Sequence, residues 1–347
     1  MLCSLLNTSR MGVQAATDSI LLSLADACFP SLGFSFGETS LFRQFNSIRS
    51  ITRLVVLLSS AFCLFVSCSL PSKAPELRQI TDEAGRPVQL ATKINRVISL
   101  APNLTEIVYA IGAGDRLVGN TTYCDYPEEA KTVQKVGDTI QPNIEAILAL
   151  RPDLILVSTS SQLEAFTRQL SDHKIPVFVT DPRDLEGVLH SIENVGLLLD
   201  HQTQADKLNR ELRDRAAIVE AAVKNQTPPR VFYQLSAEPL YTAGRDAFVT
   251  DLIKRAGGLS VTAEVPEAWP RYSEESAVAA KPDAIVLPTG GSMGAANVDV
   301  AAGLRRAPAV LQGKVFKING DLLVRPGPRA IEGLEQLARA LHPEAFK

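Results

Sequence analysis

The sequence predicts two similar α/β lobes with central, mostly parallel sheets joined by one long helix, and three observations carry that prediction. The first is an internal repeat: Glu145 to Asp153 reads EAILALRPD before the apolar run 154–157, and Glu275 to Asp283 reads ESAVAAKPD before the run 284–287. The second is a strand–loop–helix order at 96–111, the signature of parallel α/β units. The third is a stretch between the two repeats with Ala205, Leu208, Leu212, Ala216, Val219 and Val223 at spacings of three and four, the period of one apolar helix face. Two copies far apart fit two lobes and not a solenoid, which needs short periods and at least three copies.

Taken in order, residues 1–48 show no clear amphipathic period, and they are expected to be a disordered extension or the product of a start codon assigned too early. Arg43, Arg49 and Arg53 precede an apolar run from Leu54 to Val66, shorter than the ~20 residues that span a bilayer. Basic residues, a short apolar run and small residues form a secretory signal over 49–67. Its end, Leu64-Phe65-Val66-Ser67-Cys68, resembles a bacterial lipoprotein signal, with Phe65 where leucine is usual. That resemblance implies lipidation of Cys68, export and a membrane held by the lipid anchor, with 68–76 as a polar tether; an ordinary cleaved signal peptide or a single membrane anchor is the alternative.

The body reads as an N-terminal lobe at 77–200, a linking helix at 201–227 and a C-terminal lobe at 228–347. Asp82 to Arg86 is a turn between short apolar stretches, so a hairpin is expected there. Arg96 to Leu100 reads as a buried strand. Asn103 is expected to cap the next helix, with Glu106 closing a capping box and Gly112 stopping the helix. Another strand starts at Leu117. Asn143 and Ser273 are expected to cap the repeat helices. Pro152 and Pro282 stop them and bias Arg151 and Lys281 to extended geometry. Thr203 is expected to open the long helix and Pro228-Pro229 to end it; about 22 residues make a rod of roughly 33 Å. One stiff helix should permit less hinge opening than several flexible strands. Val231 to Leu235 begins the second lobe.

Composition narrows the function. The 347 residues carry a net charge of −3, 46% of them are hydrophobic, and no basic field exists to hold nucleic acid. Four of the five cysteines (Cys3, Cys28, Cys63, Cys68) precede residue 70, which leaves Cys124 without a partner for an intramolecular disulfide in the body. Cys124 reads as an inert small residue. No CxxC pair occurs, and His173, His190, His201 and His342 lack metal-ligand spacing.

The segments Arg96-Val-Ile-Ser-Leu-Ala-Pro-Asn-Leu-Thr-Glu106 and Tyr123-Cys-Asp-Tyr-Pro127, the two repeats, and Trp269-Pro-Arg-Tyr-Ser-Glu-Glu275 carry a specific likeness. From about residue 79 to the carboxyl end the chain resembles the helical-backbone periplasmic binding proteins that serve ABC importers of cobalamin, haem and ferric siderophores. The Tyr-x-Asp-Tyr-Pro and Trp-Pro segments are most similar to the cobalamin binders. The resemblance implies a monomer with a ligand cleft between the lobes, no permanent cofactor, cobalamin or another metal chelate as cargo, and an ABC permease with its ATPase as partner.

Carried over residue by residue, the resemblance places Tyr123, Tyr241 and Trp269 against the ligand ring, with Asp321 and Arg325 as polar cleft groups. A corrin edged with amides needs such aromatic faces and a few polar contacts; ordinary core packing is the alternative for each aromatic. Two further cleft tryptophans of the cobalamin binders fall at about Thr139 and Ser158 here, which leaves the choice of chelate open. Glu145 and Glu275, each the second helical residue after its cap, match the pair that docks on permease arginines. Acids also favour first helical turns for their own sake. Gly290-Gly291-Ser292-Met293-Gly294 matches a nucleophile elbow after a strand, with His342 as the sole histidine beyond it. A serine hydrolase using Ser292 is therefore the enzymatic alternative to a non-enzymatic binder.

Overall fold

The computed structural model describes residues 77–347 apart from 160–169, 171, 172, 174 and 292–297. The extension, signal segment, tether and Cys68, together with Ser292, lie outside the described residues.

A hairpin of β1 (Leu77–Thr81) and β2 (Pro87–Ala91) opens the body, turning through Asp82. The carboxylate of Asp82 accepts the backbone N–H of Ala84 and Arg86, which closes the turn. The first lobe is a parallel sheet in the order β4-β3-β5-β6: β3 (Val97–Ser99), β4 (Leu117–Asn120), β5 (Leu154–Ser158) and β6 (Val177–Thr180). Among the described residues its α-helices are α1 (Pro102–Ala110), α2 (Ile144–Ala149) and α3 (Leu185–Leu198). The rod α4 (Gln202–Val223) follows. The second lobe has β7 (Arg230–Ala237) at the centre of its sheet, flanked by β10 (Ala284–Thr289) with β11 (Val315–Asn319) beyond it. β8 (Leu240–Thr242) pairs antiparallel to β7, and the short β9 (Leu259–Ser260) pairs parallel to it. Its helices are α5 (Phe248–Arg255), α6 (Glu274–Ala279), α7 (Pro308–Leu311), α8 (Gly320–Val324) and α9 (Ala330–Leu341).

The parallel strands are apolar on both faces, as burial under helices on both sides requires. Side chains alternate: Val97 and Leu154 join one core cluster, Ile98 and Ile155 another. The first cluster is continuous from Leu104 and Leu189, past Leu212 and Val219 of α4, to Val231, Tyr233 and Val286 of the second lobe. The lobes therefore share one apolar spine along the rod.

The repeat recurs in its hydrogen bonding. Asp153 accepts the N–H of Arg96 at 2.9 Å, and Asp283 accepts that of Arg230 at 2.8 Å. The Arg96 side chain donates to the carbonyl of Leu150, and the Arg230 side chain to that of Ala280, each at the end of its repeat helix. Each Pro-Asp segment thus ties a helix end to the start of the neighbouring strand. Asn143 and Ser273 cap α2 and α6 as expected, accepting from the N–H of Ala146 and Ser276.

Three local expectations are corrected. Arg151 and Lys281 adopt φ of 45° and 44°, not extended geometry, because each is the left-handed residue that ends its helix. α4 starts at Gln202 without a side-chain cap, since a tight turn through Asp200 (φ 54°) leads straight in from α3 and places Thr203 inside the first turn. α1 starts at Pro102, whose ring suits a first helical position, with Ala101 as its extended cap. Asn103 and Glu106 are thereby released from capping, and both point to the other lobe.

Candidate functional site

In open parallel sheets, ligands bind beyond the carboxyl ends of the strands, where the connecting loops leave a crevice. Here the two lobes bring those ends together. Tyr123 follows β4, Ser158 ends β5, and Asp321 opens α8 just after β11.

The centre of the junction is Arg325, at the carboxyl end of α8 and 5% exposed. Its Nη1 donates to Asp125 at 2.9 Å and to Glu106 at 3.3 Å. Its Nη2 lies 3.1 Å from an Asp321 oxygen and 3.4 Å from the Tyr123 carbonyl oxygen. Glu106, 3% exposed, also receives Arg329 in a two-pronged pair at 2.6 and 2.9 Å. Burial opposes the charge of Arg329, yet the Glu106 carboxylate outweighs it and raises that guanidinium above its ordinary value. Arg329 also sits over the Tyr126 ring, 4.0 Å from its centroid. Asn103 Nδ2 donates to the Pro326 carbonyl at 3.2 Å. Planar guanidinium forks fix direction as well as attraction, so this network orients one lobe against the other. A cavity of about 320 Å³ opens behind it, lined by Tyr109, Tyr126, Leu212, Arg215 and Glu332 among others.

The loop carrying Tyr123 is built from within. Lys135 Nζ donates to Asn120 Oδ1 and to the carbonyls of Cys124 and Ala130. Cys124 is buried with its thiol between the Thr105 and Thr121 hydroxyls, and burial pushes that thiol up.

On the second lobe, β8 carries Tyr241, half-buried, and the segment 268–271 runs alongside it. Gly244 donates to the Ala268 carbonyl, Thr242 to that of Pro270, and Tyr241 bridges Arg271. Gly244 is needed at this crossing, because a Cβ there would run into the Glu267 backbone oxygen. Trp269 is 36% exposed, with its ring centroid 6.2 Å from the fully buried Tyr233. It thus rests on the core with one side toward solvent.

Of the residues singled out in the sequence, Tyr123 and Asp321 both meet Arg325 directly, Tyr241 lies on β8, and Trp269 lies in the irregular segment alongside it. Glu145 and Glu275 are exposed near the starts of α2 and α6. Sequence reasoning missed Glu106, assigned to a cap, and Arg329. The signal was the stiff Arg325-Pro-Gly-Pro-Arg329 loop, in which Gly327 lies so close that an added Cβ would sit 3.3 Å from that of Asn103.

His342 lies far from Gly290, the described glycine that opens the elbow-like motif, and Ser292 itself is outside the described residues. The His342 Nε2 lies 3.1 Å from the Gly257 carbonyl oxygen, two residues before β9 and so level with the start of β7. Gly290 follows the opposite, carboxyl end of β10. At ~3.3 Å per residue the two ends of that strand are roughly 20 Å apart.

The periplasmic binding protein family profile matches residues 97–322, most of the described body. The chain belongs to the periplasmic binding protein family. This binding protein is 34% identical over 275 residues to an uncharacterised ABC transporter substrate-binding lipoprotein of Bacillus subtilis (strain 168), covering 77% of this chain and 86% of that one. It is 32% identical to the vitamin B12-binding protein of Photorhabdus laumondii, over 71% of this chain and 88% of that one. Among solved structures, the periplasmic vitamin B12 binding protein of Vibrio cholerae superposes with a TM-score of 0.65 at 28% identity, covering 73% of this chain and 98% of that one. A periplasmic haem-binding protein from Roseiflexus sp. RS-1 superposes equally, with a TM-score of 0.65 at 25% identity over 73% and 99%. The family is one of substrate carriers for ABC transporters, and the two-lobed α/β architecture is theirs.

Proposed function

We propose that this binding protein captures cobalamin or a related corrinoid between its lobes and delivers it to an ABC permease. The observation that carries the reading is the polar centre at Arg325, held between the two lobes, for which the partly exposed Trp269 of the second lobe is the aromatic wall we assign. A semi-planar, amide-edged ring asks for such a wall and such a centre. Tyr123 and Tyr241 supply further ring contacts, and Asp321 a polar one. Export and tethering follow from the signal segment and lipidation of Cys68. Docking falls to Glu145 and Glu275. The protein carries cargo without turnover and works as a monomer with no resident cofactor.

Haem or a ferric siderophore is the second reading. It is favoured by the haem-binding neighbour and by Thr139 and Ser158, which are small and buried where cobalamin binders carry tryptophan.

Trp269 is the sole tryptophan, so its fluorescence reports the cleft directly. Cyanocobalamin should quench it to a one-to-one endpoint, more tightly than haemin or a ferric siderophore. Unchanged fluorescence with cobalamin, cobinamide, haemin and ferric siderophores alike would refute the assignment of the cleft.

A further inference from the structure

The donors of Arg325 are held by partners of unequal strength. Glu106 lies within α1, is 3% exposed, and is pinned by a second guanidinium from Arg329. A carboxylate so placed cannot regain water by letting go, so its bond to Arg325 resists exchange. Asp125 is different. It sits on the loop after β4 with its side chain 36% exposed, and releasing Arg325 returns it to solvent at little cost. The 2.9 Å bond from Arg325 Nη1 to Asp125 is therefore the one that an incoming acceptor displaces most easily.

The displaced carboxylate remains beside the arginine. A primary amide satisfies both groups at once: its carbonyl accepts from Arg325 and its N–H donates to Asp125. A cargo carboxylate satisfies only the arginine and brings a negative charge against Asp125. The surroundings sharpen the difference, for Glu106, Asp125 and Asp321 set three carboxylates against the two guanidiniums of Arg325 and Arg329. Lys131 and Lys135 also feel the Asp125 charge, but Lys131 is paired with Glu128 and Lys135 is committed to Asn120 and two loop carbonyls.

We infer that Asp125 is a specificity-determining residue that yields its bond to Arg325 to the cargo and selects amide-edged over carboxylate-edged rings, while Glu106 holds Arg325 in place through the exchange. The inference rests on the cleft being the cargo site and adds the chemical class that it admits.

The test is the ratio of affinities for two rings, cyanocobalamin edged by amides and haemin edged by propionates, read by Trp269 quenching on the full chain. Wild type should favour cyanocobalamin. Asp125→Asn should narrow that preference by about tenfold, mainly by tighter haemin binding, the size of one charge-assisted hydrogen bond no longer opposed. Asp125→Glu, which keeps the charge, should retain the preference. An unchanged ratio in Asp125→Asn, or an equal loss for both rings, would overturn the selectivity role while leaving the cargo site standing. If wild type binds neither ring, the reading of the cleft falls and the inference falls with it. If Asp125→Asn does not fold, Asp125→Glu decides alone: a lost preference despite the retained charge defeats the inference, and a retained one supports it.

Discussion

Trp269 has a face in each of two environments. One side packs on Tyr233, whose hydroxyl is wholly buried, and about a third of its surface stays exposed. An aromatic pair of this kind contributes ~0.5–1.5 kcal/mol beyond its buried area. Trp269→Ala should therefore lower the melting temperature by a few degrees only, as that magnitude implies for a body of this size. Cargo affinity should fall more than tenfold if stacking on the ring is lost, measured calorimetrically since the fluorophore is gone. A large drop in melting temperature with cargo affinity intact would mark Trp269 as a core residue. At this scale the sequence was informative about residue type and silent about partner. Glu106 reads as a cap because Asn103 lies three residues before it, and Pro102 displaces that cap. Arg329, 223 residues from its acceptor, lies beyond any local pattern.

The helix–Pro-Asp–strand repeat was the most legible element, because every step of it is local. A cap, two helical turns, a proline and an apolar run are all set by near neighbours in sequence. What stayed hidden was its purpose, since the acceptors and donors that it joins are more than fifty residues apart. Asp153 accepts the N–H of both Asn95 and Arg96, whereas Asp283 accepts that of Arg230. These bonds are exposed, so water replaces part of each when the carboxylate is removed. Asp153→Ala should then cost about 1–2 kcal/mol and Asp283→Ala about 1 kcal/mol, with the first the larger. Urea unfolding of both variants gives the comparison; equal or reversed costs would mean that the two ties do not act through these backbone donors. The left-handed Arg151 and Lys281 show the same limit. Proline predicts only that its predecessor avoids the right-handed helix, and the demand to end a helix decides the remaining choice.

Across the whole molecule, the two repeats set Glu145 and Glu275 at matching places, one in each lobe, both exposed and neither serving as the cap of its helix. The fold was legible at this scale because the repeat and the rod between its copies fix two lobes; the join at Arg325 was not, for it arises only when the lobes meet. A rigid pair of carboxylates on one molecule suits a receptor with two arginine sites. If they dock the permease, Glu145→Lys with Glu275→Lys should abolish uptake while cargo affinity stays near wild type. Each reversal also sets a positive charge against a helix start, at up to ~1 kcal/mol per site. The Gln pair separates the two effects, removing the docking charge with less local penalty. Losing a carboxylate opposite a buried arginine costs ~2–5 kcal/mol of complex stability, well above the helix-end effect. Both pairs should then fail in transport, with the Lys pair alone showing a lowered melting temperature. Normal import by the Lys pair, at normal abundance in the cell envelope, would reduce these two residues to helix-end charges.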